Sequence, residues 1–86
     1  MPEKYIVITV IGPDRSQLIA EITSVIADFN YNIEDMDQVV MHNIFILSLL
    51  VNIAQDVANY ERLRKKLQYR CQELGLEVNF YYAGEK

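Results

Sequence analysis

The chain is 86 residues long, 51% hydrophobic and 23% charged, with three Gly and two Pro. That is the make-up of one ordered globular domain, not of two domains or a disordered tail. Twelve acidic residues against eight basic ones leave a formal net charge of −4, which argues against nucleic acid as a partner, because that affinity comes from many Lys and Arg contacts to phosphate. Cys71 is the only cysteine, so an internal disulfide framework and a cysteine-rich zinc site are excluded, and a reducing compartment is expected.

The N-terminus, Met1-Pro2-Glu3-Lys4, lacks the basic stretch, apolar run and cleavage site of a signal peptide. The longest apolar run, Ile44 to Val51, is broken only by Ser48 and is too short to cross a bilayer. A soluble, cytoplasmic protein without membrane contact is expected. Surface scaling gives a folded monomer of this mass roughly 5,200 Å² of accessible area against about 14,500 Å² unfolded. Such a thin core gains from further burial against a partner.

In chain order, Tyr5 to Ile11 is a run of β-branched residues and one aromatic, ended by Gly12-Pro13, and reads as a strand. Apolar residues at 18, 22, 25, 26 and 29 form the stripe of an amphipathic helix, with Glu21, Ser24 and Asp28 opposite. Asp14, three residues before Gln17, has the spacing of a capping box. Asn30 suits the left-handed position that closes this helix. Ile33 to Met41 reads as a second strand, turning at His42-Asn43 into a third from Ile44 to Ile53. Asp56 is placed to cap a second helix with apolar positions 60, 63, 67, 71 and 74, stopped by Gly75. Leu76 to Tyr82 alternates as a half-buried last strand.

With right-handed crossovers, strand-helix-strand-strand-helix-strand gives an α+β fold, the ferredoxin-like βαββαβ sandwich: a four-stranded antiparallel sheet, order 4-1-3-2, with both helices on one face. The central strands are apolar on both sides. Ile6, Ile8 and Val10 oppose Tyr5, Val7 and Ile11, and Ile44, Ile46 and Leu50 oppose Phe45, Leu47, Leu49, Val51 and Ile53. Helices cover one face, and a solvated second face would alternate with polar residues. Self-association is therefore expected, by isologous pairing of two sheets or by edge-to-edge pairing.

Little in the chain suggests catalysis. His42 sits at the predicted hairpin tip beside no nucleophile. Glu34, Asp35 and Asp37 offer oxygen ligands, but charge is also what an edge strand carries against aggregation, so no metal is assigned. Arg62, Arg64, Lys65, Lys66 and Arg70 read as a solvated helix face, with Glu61 pairing Lys65 at i,i+4. No glycine-rich phosphate loop or catalytic set of side chains assembles, so no enzyme and no cofactor are expected. The informative segment is Gly12-Pro13-Asp14-Arg15-Ser16-Gln17-Leu18. Free N–H groups at a helix N-terminus suit a carboxylate or phosphate, and Arg15 and Ser16 add donors.

Val10-Ile11-Gly12-Pro13-Asp14-Arg15, the stripe of the first helix, Asn32-Ile33 opening the second strand, and Gln38 beyond it together resemble the ACT domain. The resemblance spans about residues 4 to 82 of a single ACT-like domain, 1–86. It is nearest to small stand-alone ACT proteins and to ACT segments attached to phosphoserine phosphatases and glycine-cleavage regulators. It implies a regulatory module binding a small effector, such as an amino acid, at the interface of a homodimer, with a regulated enzyme or regulator as partner. Carried onto this chain, the ligand contacts are Asp14, Arg15, Ser16, Gln17, Leu18, Asn32 and Ile33. Gln17 stands where the family pattern usually places glycine, and Asn30-Tyr31 where a glycine often precedes Asn-Ile. The competing function is a pure dimerisation or protein-interaction module without a small ligand. An acylphosphatase-like hydrolase using Arg15, and an RNA reader stacking bases on Tyr5, Phe45 and Tyr81, fit the fold but not the charge and motifs.

Overall fold

A computed structural model describes residues 4–85. Met1, Pro2 and Glu3, read above as carrying no leader, lie outside the described residues, as does Lys86. Four strands, β1 (Lys4–Pro13), β2 (Asn32–Met41), β3 (Ile44–Asn52) and β4 (Glu77–Glu85), and two helices, α1 (Leu18–Ala27) and α2 (Tyr60–Glu73), follow in the expected order, with a 3₁₀ turn at Ala54–Asn59. The sheet order is β2-β3-β1-β4 with every pairing antiparallel, as the ferredoxin-like reading requires.

Period-two patterning sets the faces. Ile6, Ile8 and Val10 of β1 and Phe45, Leu47, Leu49 and Val51 of β3 are buried against Leu18, Ile22, Val25 and Ile26 of α1 and Leu63, Leu67 and Cys71 of α2. The other face carries Val7, Ile46 and Leu50, half-buried with no layer over them, and the more exposed Ile11, Val39, Met41 and Ile44. The hairpin turn is built as expected, on His42 (φ 48°) and Asn43 (φ 67°), both left-handed as a type I′ turn requires. Asn30 (φ 59°) likewise takes the left-handed position after α1.

Gly75 (φ 75°) ends α2. Its N–H donates to the Gln72 carbonyl at 3.2 Å and the N–H of Leu76 to that of Cys71 at 2.8 Å, the paired bonds of a Schellman motif.

Both predicted helix starts are corrected. Gln17, not Asp14, is the residue before α1, and no side chain caps it. The N–H of Asp14 instead donates to the Asn43 carbonyl at 2.8 Å, which ties the turn after β1 to the β2–β3 hairpin and delays the helix by a turn. Asp56 does not cap α2: it is extended (φ −158°, ψ 70°) at a kink within the 3₁₀ segment Ala54–Asn59 that precedes the helix, and its carboxylate accepts from Asn59 Nδ2 at 2.7 Å. Glu61 pairs with Arg64 at 2.8 Å rather than with Lys65, because the guanidinium one turn on reaches both carboxylate oxygens.

Candidate functional site

The turn that leads from β1 into α1 is a strained one. Gln17 has φ 68° and ψ 13°, a left-handed conformation that costs a side-chain-bearing residue roughly 1–2 kcal/mol. The first helical bond runs from the N–H of Glu21 to the Gln17 carbonyl at 3.1 Å, so the amides of Leu18, Ile19 and Ala20 precede the helical ladder. With no side-chain cap on Gln17, the positive end of the α1 dipole is left to other partners.

Arg15 stands over this end. Its guanidinium lies 3.6 Å from one oxygen of Glu21, and Arg70 of α2 lies 3.5 Å from the other. Arg70 also reaches Glu73 at 3.6 Å. Each pair is partly exposed and worth little alone, but together they connect the candidate ligand loop to the second helix. Glu21 and Arg70 were invisible as a pair in the sequence. They meet because α1 and α2 pack antiparallel, which local spacing does not reveal.

Asp14, Arg15, Ser16, Gln17 and Leu18 thus cluster at one end of the sheet. Asn32 and Ile33 do not join them. In the ladders Pro13 lies opposite Ile44, whereas Asn32 lies opposite Asn52 and Asn52 opposite Tyr5. Eight residues of β1 separate the two ends, roughly 26 Å. Within one chain the two halves of the predicted site lie at opposite ends of the sheet. Asn32 is exposed and Ile33 half-buried, and β2, which carries both, is one of the two edge strands, with β4 the other. Gln38 lies opposite Leu47 further along that strand.

The ACT domain profile matches residues 4–81. The chain belongs to the ACT domain family. A UPF0237 protein of Methanopyrus kandleri is 42% identical over 72 residues, covering 84% of this chain and 80% of that one. The solved structure of an ACT domain protein from Streptococcus pneumoniae superposes with a TM-score of 0.80 at 28% identity, over 93% of this chain and 90% of that one. A protein assigned as a glycine cleavage system transcriptional repressor shares the fold with a TM-score of 0.86 at 22% identity, over 95% of this chain and 47% of that one.

ACT domains are commonly regulatory and ligand-binding, and the departures of this one from the family pattern have a structural reading. The position of Gln17 is left-handed, where glycine carries no steric penalty. Gln17 keeps the turn at some cost and adds a polar side chain to it. Asn30 takes over the other glycine-like position with φ 59°. Among the described residues, no group of three or more His, Cys, Asp or Glu side chains is placed to hold a metal ion, and no helix is long and apolar enough to cross a membrane.

Proposed function

We propose that this ACT domain is a non-catalytic, cytoplasmic regulatory module that binds a small effector, an amino acid, at the interface of a homodimer. The observation that carries the reading is the placement of the two site halves at opposite ends of the sheet, with Asn32 and Ile33 on β2, one of its two edge strands. When two copies pair antiparallel along β2 about a two-fold axis, residue 32 of one stands opposite residue 41 of the other. Met41 neighbours Ile44, Ile44 neighbours Pro13, and Asn43 holds the N–H of Asp14. Asn32 and Ile33 of one copy then approach the turn 14–18 of the other, twice per dimer.

In that arrangement the uncapped amides of α1, with Arg15 and Ser16, hold the effector carboxylate, and Asp14 or the second copy's Asn32 takes its ammonium group. Glu21 competes for Arg15, so effector binding is felt at Arg70 and α2. A regulated enzyme or regulator reads the change. The regulator named among the structural neighbours supports the class of function but not the ligand.

A thermal-shift screen of the common amino acids at millimolar concentration tests this. Ligand at about 100 times its Kd adds roughly 2.7 kcal/mol, and Ser16→Ala and Asn32→Ala should each reduce the shift. No shift with any amino acid overturns it. The second reading, a pure dimerisation module, is favoured by the Gln17 side chain at a turn where glycine would leave room. It predicts that Asn32→Ala changes nothing, whereas a charge at Ile46 disrupts assembly.

A further inference from the structure

Where α1 ends, α2 begins, and between them lies a polar groove of about 310 Å³, at the small end of the ~300–1,000 Å³ of ligand sites. Asp28 and Phe29 form one bank; Asp56, Asn59, Arg62 and Lys66 form the other. The banks are fixed to each other. Gln55 Nε2 donates to the Asn30 carbonyl at 3.0 Å, the Tyr31 hydroxyl donates to the Asp56 carbonyl, and Phe29 stacks on Tyr31 with centroids 6.3 Å apart.

The charges in this groove are placed against the helices that carry them. Asp28 is the residue that closes α1, at the negative end of its dipole, and Arg62 lies in the first turn of α2, at the positive end. Each placement is unfavourable by a few tenths of a kcal/mol, and breaches of local rules of this kind gather at functional sites. Elsewhere Arg15, Arg64 and Arg70 all reach a carboxylate. Among the described residues no ion pair joins Asp28 or Asp56 to Arg62 or Lys66, although they share one groove.

We propose that this groove binds a small zwitterion of the α-amino-acid type. Arg62 and Lys66, one helical turn apart, take the carboxylate; Asp28 and the Asp56 oxygen not used by Asn59 take the ammonium group. A zwitterion satisfies both banks and relieves both misplaced charges, which a simple anion or cation does not. The site is complete in one chain and does not depend on the dimer proposed above.

The test is an amide NMR titration of the full chain with glycine, L-serine and L-glutamine, against acetate and methylammonium at matched ionic strength. Saturable shifts are expected at residues 28–30 and 56–66, with affinity for the single-charge probes about tenfold or more weaker. Asp28→Asn and Lys66→Gln, both at exposed positions, should each weaken binding roughly fivefold or more. Four results overturn the proposal: no saturable shift up to about 50 mM, where even weak sites fill; an equal response to acetate; unchanged affinity in both variants; or shifts confined to 14–18 and 32–33. The last would leave the dimer-interface effector site standing while removing this one.

Discussion

Gly12 and Gly75 lie side by side, and substitution separates their roles. A Cβ on Gly12 would stand 2.4 Å from Leu76 Cδ2 and 3.1 Å from the Gly75 carbonyl oxygen, whereas one on Gly75 meets nothing within 4 Å but sits at φ 75°. Gly12→Ala is therefore an overpacking change expected to cost about 1–3 kcal/mol, and Gly75→Ala a conformational one of about 1 kcal/mol. Urea unfolding of the two variants checks the order, and Gly75→Asn should recover part of its loss. Gln17→Gly runs the other way: relief of the left-handed side chain should outweigh the added freedom of the unfolded chain and gain up to about 1 kcal/mol. Its thermal midpoint reads the gain. Burial pushes the Cys71 thiol up to about 11, above the roughly 8.5 of an exposed thiol. Below the lower value both folded and unfolded chains keep the proton. Above it the unfolded chain ionises first, so stability falls by up to about 1.4 kcal/mol per pH unit until the folded value is passed. Burial also raises Tyr31 and Tyr60, adding to the loss at the alkaline end. Denaturation between pH 7 and 11 should show the decline, with its early part absent in Cys71→Ala.

At the scale of elements, β3 offers an internal comparison, since successive residues face a packed layer and an open one. Leu47 is fully buried against the helices, while Leu50 is half-buried on the open face. Leu47→Ala should cost about 2–5 kcal/mol at every protein concentration. Leu50→Ala should cost less in dilute protein and more in concentrated protein, as concentration-dependent melting would record. This alternation is also why the sheet was legible in the sequence: side-chain period fixes which residues of a strand share a face, and connection handedness leaves few topologies. The helix starts were not legible. Asp14 and Asp56 have capping chemistry, but the chain at Asp14 is held by a hairpin turn 29 residues away, and 3₁₀ residues intervene between Asp56 and α2. Local motif spacing carries neither fact. The same limit applies to the candidate site. Asp14–Leu18 and Asn32–Ile33 stood out as positions, yet that they occupy opposite ends of the sheet follows only once the ladders are laid out, and the Glu21–Arg70 contact only once the helices are packed.

For the whole molecule the question is what covers the open face. The domain measures 42 × 21 × 17 Å with a radius of gyration of 12.6 Å, slightly above the roughly 12 Å expected of a compact chain of this length, and exposes 5449 Å². Ile11, Val39, Met41 and Ile44, each more than 40% exposed, gather at the hairpin end of that face around half-buried Ile46. A polar row of Asn79, Thr9, Ser48 and Asp37 crosses the face next, and Val7 and Leu50 lie beyond it. Fixed charge on a self-complementary surface is repeated across the two-fold axis, so one substitution sets two like charges in a desolvated contact. If the open face is the contact between copies, as the dimerisation-module reading has it, Ile46→Glu should therefore shift the protein to monomer by light scattering at micromolar concentration while leaving its far-UV circular dichroism intact. Ile8 makes the control: it is fully buried under the helices, and Ile8→Glu should unfold the chain, because an unpaired carboxylate there has no route to water. If Ile46→Glu leaves the scattering mass unchanged, the open face is not an interface between copies, and edge pairing along β2 is left to unite the two halves of the effector site.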